Sequence, residues 1–466
     1  MLEKSLRTFA IAFVITTLSL ASFSPAYAAS DKVNVDPETL RTSLYSGDTS
    51  VLTGLNTLYH AKEEVVRARA NLLPALNVSA VIGGGPTFAL SAISVLLPFL
   101  LPGNWHVLDA SKHQLTANGY AYQLVLLNEY ASTLSIYAQI QGDMALRAVY
   151  VQTRDNLQLI AESVADEVAV GTAFQADLSQ ATAQVQLADT QIDQVDSLLA
   201  RETASLRHVM GLSLDKELVI APYHFDELDA ESLTTSQIFN SVRENAPEQL
   251  QIDSLIQAAK QSKYTTEWSF LSGSSLGVTT DFGSGSFGKL SVGAGANLGF
   301  GLLPAVHLSS LDIAAMQIRK REISLEQQNV IESSLGSVTA SKSAVTDSRN
   351  SRNNMQIAFA DELDKLKVGT ASLIEVFTAA NFATQAGVAY ANSVSDLDQQ
   401  RIALNRILIS NQFSKIPTCH LGNLKSGGIF GFFKSIFGSK KSRYVSIDEM
   451  CRPSADAAAI ARGSSN

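Results

Sequence analysis

The sequence predicts a mostly α-helical chain with a membrane β part, in which long coiled-coil helices are combined with four β-strands. Three observations predict this class: an internal duplication, helical segments of unusual length, and a pair of strand-like runs ahead of each long helix. The 466 residues carry a formal net charge of -9 at pH 7. An acidic chain of this kind is a poor candidate for binding nucleic acid.

Residues 1–28 have the pattern of a secretory signal peptide. Lys4 and Arg7 precede an apolar stretch, and small residues then end in the A-x-A motif Ala26-Tyr27-Ala28. The mature chain is therefore expected to begin just after this motif and to be exported.

The only two cysteines, Cys419 and Cys451, both lie in the last fifty residues. An exported chain meets an oxidising compartment, where such a pair can form a disulfide, although the sequence alone leaves the bond open. With no further Cys and no His beside them, a zinc site is not expected. No motif indicates a cofactor, and no arrangement of nucleophile and base indicates an enzyme.

The chain contains an internal duplication. Displacing the sequence by 198 residues superimposes "VGTA" at 170 on "VGTA" at 368 and continues without a gap over about fifty residues. We therefore divide the chain into a first repeat at 29–211, a linker near the molecular equator at 212–235, and a second repeat at 236–411. Each repeat is expected to begin with a helix.

Each repeat should contain two long helices separated at its V-G-T motif. The expected bounds are about 105–168 and 172–211 in the first repeat, and about 305–367 and 371–410 in the second. After the first motif, Leu178, Val185, Ile192 and Leu199 keep a seven-residue period, which is typical of a coiled-coil seam. Helices of this length indicate a tube or stalk and not a globule.

A strand hairpin is predicted ahead of each long helix, at about 74–102 and about 267–303. Each run is about 10 to 14 residues long, the size of a tilted strand that crosses a bilayer. Four strands cannot close a barrel, and open sheet edges are not tolerated in lipid, so several chains would have to share one barrel.

These features resemble the TolC-like outer membrane efflux proteins. The similarity runs from "RARANLLPALNVSA" at 67–80 to about residue 409, and "VGTASLIEVFTAANFATQAGVAYANS" from 368 is its most specific stretch. The resemblance implies a homotrimer in the outer membrane, with a twelve-stranded barrel and a periplasmic tunnel formed by most of the chain. It also implies a passive duct for efflux or type I secretion, without cofactor or enzyme activity. A periplasmic adaptor would join the duct to an inner-membrane pump of the RND or ABC type.

The resemblance assigns roles to the residues around the two V-G-T motifs. The adaptor would dock at two hairpin tips. The first tip comprises Val170, Gly171 and Thr172, and the second comprises Val368, Gly369 and Thr370.

The family also places acids six and nine residues after the second glycine, at the narrow end of the tunnel. Glu375 matches the first of these positions, Thr378 departs from the second, and Asp177 takes the plus-six place in the first repeat. A ring of Glu375 side chains could constrict the aperture, and like charges held close would raise their pKa. Alternatively, Glu375 is an exposed acid that suits the start of a helix.

Two alternatives stay open. The tail at 412–466 contains an amphipathic segment at 428–438, which would either lie on a membrane surface or pack against the outside of the tunnel. The competing function is a non-conducting exported stalk or adhesin built on the same heptads. The strand hairpins discriminate between the functions, because a stalk does not need them.

Overall fold

The computed structural model describes residues 32–73, 99, 101–243, 245–269, 275–281, 289–295, 301–417 and 451. The predicted signal peptide, most of the predicted hairpin at 74–102, Cys419 and the amphipathic segment at 428–438 lie outside the described residues.

Long helices dominate the described chain. The elements in chain order are β1 (Lys32–Val35), α1 (Pro37–Gly47), α2 (Thr49–Ala70), α3 (Pro102–Ala169), α4 (Gln175–Val209), β2 (Glu217–Ile220), a 3-10 turn (Asp229–Ser232), α5 (Thr235–Arg243), α6 (Pro247–Glu267), β3 (Ser275–Asp281), β4 (Lys289–Gly295), α7 (Leu302–Lys367), α8 (Leu373–Leu408) and a second 3-10 turn (Asn411–Lys415). With 68 and 66 residues, α3 and α7 are each about 100 Å long. The predicted combination of long helices and few strands is confirmed.

Local sequence signals explain where the first helices begin. Asp36 precedes α1, and its carboxylate accepts a hydrogen bond of 2.7 Å from the Thr39 N–H. Asp48 caps α2 in the same way, with 2.9 Å to the Val51 N–H. Each cap satisfies a backbone donor that the first turn of a helix cannot pair internally.

The main apolar core lies where α1 and α2 pack against the first half of α3. Tyr130 and Tyr137 of α3 are fully buried there, and their hydroxyls donate to the carbonyl oxygens of Pro37 and Ala221. Buried hydroxyls that find such partners fix one docking arrangement. The core therefore joins α3 to the N-terminal segment and to the residue after β2.

Two small sheets complete the described fold. β1 and β2 pair in parallel from Lys32 opposite Glu217 to Val35 opposite Ile220. β3 and β4 pair antiparallel and belong to the predicted hairpin at 267–303. Their described parts have seven residues each, shorter than the 10 to 14 expected, and α6 occupies the segment as far as Glu267.

The two helical hairpins pack against each other along α3 and α8. A Cβ atom added to Gly142 of α3 would lie 2.7 Å from the Ser395 Cβ, and one added to Gly387 of α8 would lie 2.8 Å from the Val149 Cγ1. The absence of side chains at these glycines therefore permits the close approach. Among the described residues, no helix is long and apolar enough to cross a bilayer.

Candidate functional site at the two hairpin tips

Both V-G-T motifs end a long helix with the same hydrogen-bonded turn. Gly171 and Gly369 have φ of +81° and +73°, in the left-handed region that glycine adopts without a steric penalty. The Gly171 N–H donates to the Val168 carbonyl at 3.0 Å, and the Thr172 N–H donates to the Glu167 carbonyl at 2.8 Å. This pair of bonds is the Schellman motif, which satisfies carbonyls that the end of a helix leaves free.

The second turn repeats this pattern residue for residue. The Gly369 N–H donates to the Leu366 carbonyl and the Thr370 N–H to the Lys365 carbonyl, both at 2.9 Å. The threonine hydroxyl adds a further bond in each turn, 2.9 Å from Thr172 to Glu167 and 3.1 Å from Thr370 to Lys365. Threonine therefore strengthens the turn that glycine permits.

The structure brings the two tips together at one end of the molecule. Helices α3, α4, α7 and α8 share an apolar cluster there, with Val168 and Ala371 at its edge. Its buried members are Leu157, Ile160, Val164, Ala188, Phe359, Val376 and Ala380. This cluster holds both turns in place.

Each tip exposes apolar side chains beyond this cluster. Val170 and Phe174 are 76% and 80% exposed at the first tip, and Val368 and Ile374 are 72% and 67% exposed at the second. Phe174 and Ile374 were not predicted from the sequence, because an apolar residue after a turn is ordinarily expected to be buried. Exposed apolar groups concentrated at one end are typical of a protein-binding surface.

The tips differ in charge. No Lys or Arg occurs between Arg154 and Arg201, whereas Lys365 and Lys367 lie just before the second turn. Lys365 pairs with Asp361 and Glu362 at 2.7 Å each, and these partners raise its pKa. The first tip is therefore the more acidic one.

Glu375 closes a capping box at the start of α8. Its carboxylate accepts from the Ser372 N–H at 2.7 Å and from the Ser372 hydroxyl at 2.8 Å, and the Glu375 N–H donates back to that hydroxyl oxygen at 3.3 Å. The hydrogen bonds from Ser372 hold the pKa of Glu375 below its usual range. In a single chain the pKa of Glu375 is therefore lowered, whereas a ring of three Glu375 carboxylates is expected to raise it.

The other two candidate aperture residues also engage their own helices. The Asp177 carboxylate accepts from the Phe174 N–H at 3.1 Å, so it caps α4 much as Glu375 caps α8. The Thr378 hydroxyl donates to the Ile374 carbonyl at 2.8 Å. Because a threonine hydroxyl is neutral, Thr378 cannot supply the charge that a second acid would place there.

Cys451 is fully buried in the main core and is disulfide-bonded. Because Cys419 lies outside the described residues, its bond with Cys451 stays a prediction. Within the described ranges, no group of three or more His, Cys, Asp and Glu residues is placed to hold a metal ion.

Solved structures of outer membrane channels share this architecture. The channel CmeC of Campylobacter jejuni superimposes with a TM-score of 0.63 over 80% of this chain and 85% of its own, at 13% identity. The outer membrane protein VceC of Vibrio cholerae gives 0.62 over 80% and 95%, also at 13% identity. CusC, described for its transmembrane channel formation, gives 0.64 over 81% and 92%, at 14% identity.

The chain has the TolC-like fold. The prediction made from the duplication and the V-G-T motifs is thereby confirmed. No protein-family model matches the sequence, and no curated protein matches it by sequence. The resemblance therefore lies in the architecture, which the chain keeps at identities of 13–14% to these three channels.

Proposed function

We propose that this chain is one subunit of an outer-membrane duct whose larger part lies in the periplasm. The duct receives substrates from an inner-membrane pump of the RND or ABC type through a periplasmic adaptor, in efflux or type I secretion. One observation carries the proposal: α7 begins just after the β3–β4 hairpin and runs about 100 Å to a glycine turn beside the other tip. A simple stalk or adhesin would not need the hairpin.

Assembly with further copies is supported by an apolar stripe along α7. Leu308, Leu311, Ile318 and Leu325 follow the 3, 7 and 7 spacing of a coiled-coil seam and are 54–71% exposed. The opposite side of α7 packs on α6 through Met316. The stripe is therefore a surface available to another chain.

The repeats indicate what covers this stripe. Within one chain α3 packs against α2, its own repeat's short helix, and against α6, the short helix of the next repeat. α7 packs against α6 of its own repeat. If α7 follows the pattern of α3, it also packs against the short helix of the next repeat. In a closed ring of repeats that helix is α2 of a second copy, and three copies would give the homotrimer.

A charge placed on the stripe tests this assembly. Changing Leu311 or Ile318 to Glu should convert cross-linkable trimers in outer-membrane fractions into monomers. Leu214, which is 89% exposed, provides a matched control, and Leu214→Glu should leave the trimer intact. Trimers that survive both stripe substitutions would exclude this interface.

Adaptor docking at the tips is the second part of the proposal. The exposed side chains of Val170, Phe174, Val368 and Ile374 supply apolar contacts around turns of fixed shape. Changing Gly369 to Val forces a β-branched residue into the left-handed region. Export should be lost while trimers still reach the membrane. Export at the wild-type rate would exclude docking through this turn.

The aperture is the third part. We place a ring of Glu375 carboxylates at the narrow end, with Asp177 behind it and without a second acid at Thr378. Each Glu375 carboxylate already accepts hydrogen bonds at the start of its helix, and these hydrogen bonds favour the charged form that such a ring needs. A charged ring of this kind selects cations.

A further inference from the structure

The segment 223–232, here called the strap, crosses α7 near its middle and α8 in its last third. Leu228 of the strap is buried in an apolar cluster with residues of both helices. The helix residues of this cluster are Val338 and Val345 of α7 and Leu397 and Leu404 of α8. The strap therefore contacts both helices of the second hairpin at once.

A single buried carboxylate, Glu231, links the strap to both helices. Its side chain is 3% exposed, and its Oε1 accepts from Arg401 Nε at 2.9 Å. Its Oε2 lies 3.1 Å from Lys342 Nζ. Lys342 belongs to α7 and Arg401 to α8, so one side chain is bonded to the two helices from the outside.

Glu231 is also satisfied by its own strap. The Leu228 N–H donates to Oε1 at 3.1 Å. Burial raises the pKa of Glu231, but the hydrogen bonds from Arg401, the Leu228 N–H and Lys342 outweigh it, and the net pKa lies below the usual range. Glu231 is therefore ionised at neutral pH despite its burial.

The strap is also anchored to α8 through its backbone. Arg401 Nη1 donates to the Phe225 carbonyl at 2.7 Å. Phe225 itself packs in the main core beside α3. These contacts fix the position of α8 relative to both the main core and α7.

The contact between α7 and α8 combines large apolar side chains, such as Val345 and Leu397, with small polar ones. The hydroxyls of Ser348 and Ser393 lie 2.7 Å apart at this contact. Sliding one helix by a turn would move it about 5.4 Å. The slide would separate Glu231 from Lys342 or from Arg401, so the buried carboxylate would lose one of its two cationic partners.

We propose that Glu231 is a register lock, a positioning residue that holds α8 at one height along α7. Together with the apolar cluster that the tips share, the lock sets the height of the turn at Gly369 relative to the turn at Gly171. The lock itself does not depend on the proposed function. Only the idea that the relative height of the two turns matters for adaptor docking rests on that function.

The test compares E231Q with E227Q in the full-length trimer. Glu227 also binds Lys342, but its side chain is 65% exposed, so it is the matched control. The S348C/S393C pair reports the register through disulfide formation by a mild oxidant. Relative to E227Q, E231Q should at least halve the yield of this disulfide.

Hydrogen exchange separates a register lock from a general loss of stability. In E231Q, amides at 338–345 and 397–404 should exchange at least tenfold faster, while those of α2 and the first half of α3 keep their rates. Equal disulfide yields in the two variants, or faster exchange throughout the chain, would overturn the proposal.

A second variant covers the case in which E231Q does not assemble. R401K keeps the positive charge but cannot bond Glu231 and the Phe225 carbonyl together, so the same loss of disulfide is expected. An unchanged yield in R401K would equally overturn the lock. A trimer that does not conduct ions would refute the proposed duct and leave the register result standing.

Discussion

Replacing Gly369 by Ala isolates the conformational cost of the left-handed turn. A Cβ atom at this position would meet nothing within 4 Å, so the substitution introduces no clash with the rest of the chain. The cost is that of an L-residue held at φ +73°, about 1 kcal/mol or somewhat more. Opening of the turn should therefore become about fivefold more frequent.

Hydrogen exchange at the tip measures this change. The Gly369 and Thr370 amides are bonded within the turn at 2.9 Å and should exchange about fivefold faster in Gly369→Ala. Gly336, in the interior of α7 with open space around a Cβ, provides the matched control. Gly336→Ala should leave the tip unchanged and stabilise α7 by about 0.5 to 1 kcal/mol. Equal exchange in both variants would refute the account of the turn.

Three further predictions concern other parts of the chain. Changing Gly387 to Ala places a Cβ 2.8 Å from the Val149 Cγ1, so it should destabilise the α3–α8 contact by about 1 to 3 kcal/mol in thermal unfolding. Burial raises the pKa of Asp398 from 3.8 to about 6, so its stabilising contribution is complete below pH 3.8 and lost as pH rises through 6. Asp398→Asn should accordingly raise stability by at most about 3 kcal/mol at pH 8 and by about half as much at pH 5, so the rise in Tm should be larger at pH 8; an equal change at both pH values would contradict this. Glu375→Gln should lower the cation selectivity of single channels, and an unchanged selectivity would exclude the charged aperture.

The turns were predictable because their requirement is local. A glycine in the left-handed region stops a helix wherever it occurs, and the motif around Gly171 recurs at Gly369. The starts of the following helices were less accurate: α4 begins at Gln175 and α8 at Leu373, after the expected 172 and 371. The turn and the N-cap together occupy the intervening residues.

Contacts between distant segments could not be predicted. Glu231 and Arg401 are separated by 170 positions, and nothing near Glu231 distinguishes it from the exposed Glu227. The four-residue strands β1 and β2 carry too short a pattern to indicate a parallel pair. The burial of Glu231 and the pairing of β1 with β2 can be seen only in the folded chain.

Recording ion currents through purified trimers in planar bilayers tests the central claim most directly. A duct predicts discrete, long-lived conductance steps from heat-modifiable trimers extracted from the outer membrane. Monomers of Leu311→Glu should give no steps under the same conditions. Intact trimers that never conduct would contradict the duct and favour the stalk.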